Sequence, residues 1–348
     1  MGIVGGPAAW LAADMADTSR WMHTLTPQEL ADVDQALKKT LAAGHTCATA
    51  TREDFPLDAM LPRLQWVLEG IEHDTGIRVL RGLPVQRYTK EQVRLLYWCI
   101  GLHMGVQVSQ SRQGDLLGDV RNFGVLTTSA RGRGYTSKEK LNFHTDSCDV
   151  VCLIVIQTAK SGGRSMIVSS VAIHDEIART RPDLLEVLYQ PFYWSWQEQE
   201  PEGALPYYQQ PLYSMEQGYF SSRYIRGHLR SAQRYDEVPR FTELQLEAMD
   251  TIDRLAHDER FCLNMMFEPG DMQFLNNHIT YHARTEFEDW PEEERRRHLL
   301  RMWLSVPNSR PLSPAMGVIY QDRRPGATRG GFPSRVGTHV YETRGGEV

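Results

Sequence analysis

His144 and Asp146 stand two residues apart in the run Asn142-Phe143-His144-Thr145-Asp146. On an extended strand, residues i and i+2 point to the same side, so one imidazole and one carboxylate can reach a single metal ion. Such a pair is two-thirds of a facial triad, a ligand set that leaves three coordination positions open and suits iron(II). Taken alone, the pair has an ordinary alternative, a surface turn with a hydrogen-bonded histidine. A third ligand is on offer downstream, where the stretch from Gly270 to Thr285 holds both His278 and His282. The residue types leave these two open. Next comes Arg295-Arg296-Arg297-His298-Leu299-Leu300-Arg301, after the acidic run Glu292-Glu293-Glu294. An arginine beyond a metal site has a clear use, because its planar fork can grip a carboxylate through two parallel hydrogen bonds. Arg295 and Arg296 read instead as a solvated basic turn.

In their order these elements resemble the taurine/2-oxoglutarate dioxygenase family. The family order is His-x-Asp, then Gly-Gly-x-Thr/Ser, then a Gly-Asp turn leading to Asn-x4-His, then Arg-x3-Arg. Here His144 and Asp146 match the first pair, and Gly162-Gly163-Arg164-Ser165 matches the second element with serine where threonine is common. Gly270-Asp271 leads to Asn277, five residues before His282, and Arg297 and Arg301 close the set. The resemblance spans about Ile77 to Pro307. It selects His282 over His278, since the family ligand follows the asparagine by five positions and carries the trailer His282-Ala283-Arg284-Thr285-Glu286-Phe287.

The resemblance implies roles. His144, Asp146 and His282 hold Fe(II). Arg297 pairs with the distal carboxylate of 2-oxoglutarate, and the Ser165 hydroxyl adds a hydrogen bond. Arg301 is the candidate partner for an anionic substrate group or for the near carboxylate of the co-substrate, with a structural ion pair to Glu268 or Asp271 as its plainer alternative. Asn142 is a weaker candidate for contact with substrate. The implied activity uses O2 and couples oxidative decarboxylation of 2-oxoglutarate to C–H oxidation, by hydroxylation, desaturation or cyclisation. The intact Asp146 argues against halogenation, which needs a small residue there. The implied substrate is a small carboxylate or amino acid, anionic or zwitterionic. Two other readings are a zinc-type metallohydrolase, which leaves Arg297 without a task, and a non-catalytic jelly-roll binding module, against which the complete ligand set argues.

The elements that must position these residues are legible in part. Thr26-Pro27-Gln28-Glu29 is a capping box with proline at the first helical position, and Leu30, Val33, Leu37 and Leu41 follow at helical spacing. Further helices fit Leu61 to His73, Thr89 to Gly101, Ser170 to Tyr189 and Thr242 to His257. Strands fit a short run from Ile77 ended by Gly82 and Pro84, Val150 to Gln157, Ser165 to Ser170, Tyr219 to Ser222, Phe261 to Met266, Met272 to Asn276 and His298 to Leu304. Helices first and many strands after predict an α+β chain. Its expected form is a double-stranded β-helix (jelly-roll, cupin-like) core flanked by helices, with a helical N-terminal part. The expected organisation is one domain over 1–348: a helical part at 1–75, the core with helical insertions at 76–307 and a C-terminal tail at 308–348, loosely packed from Arg323 on. The stretch 108–140, rich in Gly, Ser, Arg and Gln around Arg131-Gly132-Arg133-Gly134, reads as a loop and a candidate lid. Phe192-Tyr193-Trp194-Ser195-Trp196 reads as pocket lining or core packing, and Met265-Met266 as core.

Composition narrows the class further. A net charge of -6 with no basic block excludes a nucleic-acid surface. Five cysteines at spacings that match no zinc motif suggest a reducing compartment. No signal peptide or membrane span is read, so the expected location is cytoplasmic, with homo-oligomerisation left open.

Overall fold

The computed structural model describes residues 2–124, 137–334 and 337–342. Three helices lead: α1 (Pro27–Ala42), α2 (Leu61–His73) and α3 (Lys90–Met104). Two start at reciprocal capping boxes. The Thr26 hydroxyl accepts from the Glu29 N–H while Glu29 accepts from the Thr26 N–H, and Thr89 and Gln92 repeat the exchange. Around them run β1 (Met22–Thr24), β2 (Ile77–Arg81), β3 (Val106–Gln107) and β4 (Leu117–Val120). There follow β5 (Leu141–His144), β6 (Val150–Gln157), β7 (Ser161–Gly162) and β8 (Ser165–Ser169). Helices α4 (Ser170–Thr180) and α5 (Pro182–Leu188) precede the hairpins β9 (Pro191–Ser195) with β10 (Tyr207–Pro211) and β11 (Tyr213–Glu216) with β12 (Tyr219–Ser222). Helices α6 (Arg226–Ala232) and α7 (Glu243–His257) lead to β13 (Leu263–Met265), β14 (Met272–Asn276), β15 (Thr280–Arg284), β16 (Phe287–Glu288) and β17 (His298–Ser305). A short helix α8 (Gly317–Tyr320) follows.

Seven strands build the larger sheet in the order β1-β2-β14-β6-β17-β3, with β4 also on β17. Four build the smaller, β13-β8-β15-β5. Side-chain alternation divides the larger sheet into two faces. Leu80, Cys152, Ile154, Met272, Phe274, Leu300, Met302 and Leu304 pack in one buried cluster with Val33, Leu37, Leu64, Val67 and Leu96 of α1, α2 and α3. The intervening residues Ile77, Val79, Val151, Val155, Leu275, Leu299 and Trp303 share a second cluster with Phe143, Ile167, Val168, Tyr281 and Ala283 of the smaller sheet. One sheet therefore rests on the leading helices and turns its other face to its neighbour. Each fully buried Leu, Ile or Phe there contributes about 1.5–3 kcal/mol.

Several expectations change. The stretch 108–140 is not loop throughout, because Leu117–Val120 is fully buried as β4 against β17; residues 125–136, including Arg131 to Gly134, lie outside the described residues. The predicted helix from Ser170 to Tyr189 is two helices. Arg181 leaves the helical region at φ -146° because Pro182 disfavours it there. Among the described residues the tail is not loose throughout. Arg329 is 2% exposed, its Nε donates to Asp149 at 2.8 Å, and Phe332 is buried. The Trp-rich run is strand β9, and Trp194 is core, under the Arg223 guanidinium at 4.5 Å. Met265 is buried but Met266 is 51% exposed. All five cysteines are free, and no helix among the described residues is long and apolar enough to cross a membrane.

Candidate metal centre

Strand β5 delivers His144, and its antiparallel neighbour β15 places His282 directly opposite, with ring centroids 4.2 Å apart. Asp146 follows just beyond the end of β5. Its backbone N–H donates to Asn277 Oδ1 at 2.9 Å, and the Asn277 N–H donates to the Asp149 carbonyl at 3.0 Å. The neighbouring Thr145 N–H is fixed by the Tyr224 carbonyl, and the Ser147 carbonyl by the Gly331 N–H. The turn that carries Asp146 is thus held from three directions. One ligand atom each from His144, Asp146 and His282 lies within 4.8 Å of the others, with Asp146 Oδ2 3.9 Å from His282 Nε2.

The protonation states suit a cation. His144 Nδ1 donates to the Asn142 carbonyl at 2.8 Å. A carbonyl can only accept, so the proton sits on Nδ1 and Nε2 keeps its lone pair. Burial lowers the pKa of His144, with Asp146 opposing. Burial and then His144 bring His282 down to about 3. Burial works against the charge on Asp146, but the Arg301 guanidinium and the Trp303 indole N–H stand beside it, and the carboxyl is held below its ordinary range. Two neutral imidazoles and one carboxylate form a donor set with one negative charge, which fits a divalent transition metal.

A cavity joins the two histidines to the arginines. His144, His282, Ser165, Gln273, Arg284, Arg297 and Arg301 line it together with Val151, Leu153 and Phe267. Arg297 is 5% exposed, and its Nη1 has no hydrogen-bond partner. Burial, and then Arg284, bring its pKa down to about 9. A guanidinium so placed is costly unless an anion arrives. Ser165, on β8 at the same cavity, accepts from Gln273 Nε2 at 3.3 Å. Arg284 is occupied with the Ser137 and Glu139 carbonyls, each at 2.6 Å.

Other sequence candidates fall differently. Arg301 pairs with neither Glu268 nor Asp271, which both bind Arg81. Its Nη1 lies 3.5 Å from both oxygens of Asp146, and its Nε donates to Gln110 at 2.7 Å. Asn142 meets the trio through its backbone carbonyl; its side chain is exposed. His278 is fully buried away from the trio, with Nε2 2.8 Å from Asp149. The sequence reading missed Trp303, whose indole Nε1 donates to Asp146 Oδ2 at 2.9 Å. Strand alternation carried that signal, since Trp303 follows Arg301 by two.

Known proteins resemble this chain in sequence and in fold. A family model described as taurine catabolism dioxygenase TauD, TfdA family matches residues 40–303. FR-33289 synthase of Streptomyces rubellomurinus (strain ATCC 31215) is 29% identical over 313 residues, 88% of this chain and 91% of its own. Taurine hydroxylase-like protein SAT17 of Stachybotrys chartarum (strain CBS 109288 / IBT 7711) is 30% identical over 308 residues, 84% of this chain and 77% of its own. Among solved structures, asparagine oxygenase with Fe(II), 2S,3S-3-hydroxyasparagine and succinate superposes with a TM-score of 0.62 at 17% identity, over 82% of this chain and 93% of its own. The non-heme iron oxygenase OrfP with Fe and alpha-ketoglutaric acid gives 0.58 at 16%, over 81% and 93%. With the match covering most of its length, the chain belongs to the TauD, TfdA family and is an oxidoreductase, a dioxygenase dependent on Fe(II), 2-oxoglutarate and O2.

Proposed function

We propose that the protein couples oxidative decarboxylation of 2-oxoglutarate to hydroxylation of a small amino acid or carboxylate, with His144, Asp146 and His282 as the iron ligands. One observation carries this reading: the cavity that opens on His144 and His282 also holds Arg297, a buried guanidinium with an unpartnered Nη1. The Arg297 fork grips the distal carboxylate of 2-oxoglutarate, and the Ser165 hydroxyl donates to it. When bound, the metal and co-substrate supply the oxidising chemistry. The chain's own part is to orient and to exclude water. Asn142 fixes the tautomer of His144, Asn277 fixes the turn of Asp146, and Val151, Leu153 and Phe267 keep the cavity apolar between its polar ends.

Arg301 is the candidate contact for an anionic substrate group, and Asn142 remains a candidate at the rim through its exposed side chain. The structural relative asparagine oxygenase holds 2S,3S-3-hydroxyasparagine and succinate beside Fe(II), which supports an amino acid as the class to try first. We read the two facing sheets as the halves of a double-stranded β-helix within one catalytic domain. Five unpaired cysteines support a cytosolic setting. The test is a screen of amino acids and small carboxylates for substrate-stimulated succinate release, with iron(II), ascorbate and 2-oxoglutarate supplied. Stimulation only by compounds without an acid group would remove the role given to Arg301.

A further inference from the structure

We propose that Trp303 is a positioning residue for the metal centre: its indole N–H holds one oxygen of Asp146 and keeps the carboxylate from turning onto Arg301. The inference rests on the reading of His144, Asp146 and His282 as ligands. Two donors compete for the same buried carboxylate. Arg301 approaches it symmetrically, with Nη1 3.5 Å from each oxygen. Trp303 does not, because its single N–H reaches Oδ2 alone, at 2.9 Å. That contact makes the two oxygens inequivalent.

The indole is well placed to act as a fixed donor. Trp303 is 4% exposed, lies on β17 opposite Val151 of β6, and has the Phe332 ring 6.0 Å away on one side and the Arg301 guanidinium 5.3 Å from its own ring. An indole N–H donates one bond in one direction and accepts none. Held this way, Asp146 presents its two oxygens unequally to the metal, which favours ligation through one oxygen and keeps the remaining positions open. Without the N–H, the nearest strong donor is Arg301, and charge-assisted bonds to guanidinium are readily bidentate. The carboxylate would then turn from the histidines toward the arginine.

Cobalt(II) binding to the purified protein, followed by its ligand-field absorption, tests this without turnover. Trp303→Phe keeps the ring and removes the N–H. Its cobalt affinity is expected to fall about 10- to 100-fold, the usual cost of losing a group that orients a ligand, with a changed absorption band. Trp303→Phe combined with Arg301→Gln should recover most of that loss, because the competing donor is gone; a merely structural defect would only deepen. In the unaltered protein, zinc(II) should shift one slowly exchanging indole N–H resonance, a readout that stands even where the variants fold poorly. Wild-type affinity and spectrum in Trp303→Phe, additive losses in the double variant, or no indole shift on zinc binding would each overturn the inference while leaving the ligands in place. Unchanged cobalt binding by His282→Ala would instead overturn the ligand reading, and this inference with it.

Discussion

Arg301 Nη1 stands 3.5 Å from both carboxylate oxygens of Asp146, so on the proposed ligand set a guanidinium and a metal ion would draw on one buried acid. The cation that stabilises the metal-free protein therefore opposes metal binding. Breaking a buried ion pair typically costs 3–5 kcal/mol; at this length of contact about 2 kcal/mol is the better expectation. Arg301→Gln should lower the thermal midpoint in chelator and raise it relative to wild type when manganese(II) is added. Equal midpoints in chelator would show that the pair carries no weight.

The Arg297 clamp makes a separate prediction. Removing a charge-assisted partner from a desolvated carboxylate costs about 2–5 kcal/mol, so Arg297→Ala should weaken 2-oxoglutarate at least about 30-fold. Ser165→Ala removes one hydrogen bond and should cost about 1 kcal/mol. The metal-to-ligand absorption of the anaerobic iron complex reports both. Wild-type affinity in Arg297→Ala would remove this assignment.

The two downstream histidines should separate cleanly. Ala at His144, Asp146 or His282 should abolish metal binding. His278→Ala should retain it while losing roughly 1–3 kcal/mol of stability, because Asp149 is left short of a partner in a buried site. Metal analysis of the four purified variants, beside their denaturant midpoints, gives the answer; metal lost from His278→Ala and kept by His282→Ala would reverse the choice.

His278 also sets a pH dependence. Burial brings its pKa down from 6.5 to about 4, with Asp149 opposing. The folded state thus binds fewer protons than the unfolded chain between these values, so stability is full above about pH 6.5 and falls as the pH is lowered toward 4. The expected contribution is roughly 3 kcal/mol across that window. His278→Gln should flatten the profile there. A wild-type profile no steeper than that of the variant would contradict it.

Much of this was legible in the sequence for reasons that can be named. Val150 to Gln157 is a strand at its predicted bounds because it is buried on both faces and reads as an unbroken apolar run. The helices at Thr26, Thr89 and Thr242 begin where a capping threonine meets Glu or Gln three residues on. The three ligand candidates come together because β5 and β15 pair. What escaped was long-range. Leu117–Val120 is too short, and too interrupted by Gly118 and Asp119, to stand out, and is paired as a strand through β17. The partner of Arg301 follows from the pairing of distant strands, which gives Asp271 to Arg81 and leaves Asp146 within reach of Arg301. Trp303 needed its partner's position before its N–H had a meaning.

The placement of Arg329 has a consequence for how the chain comes off the ribosome. Asp149 sits in the turn after His144 and Asp146, yet the guanidinium that neutralises it arrives 180 residues later. Strand β17, which joins β6 to β3 and β4 in the larger sheet, is also made late. A nascent chain that has emerged only through β15 has all three proposed ligands, His144, Asp146 and His282, but neither strand β17 nor the guanidinium of Arg329. Vectorial synthesis therefore delivers these side chains before β17 and Arg329, which fold back onto a turn made much earlier.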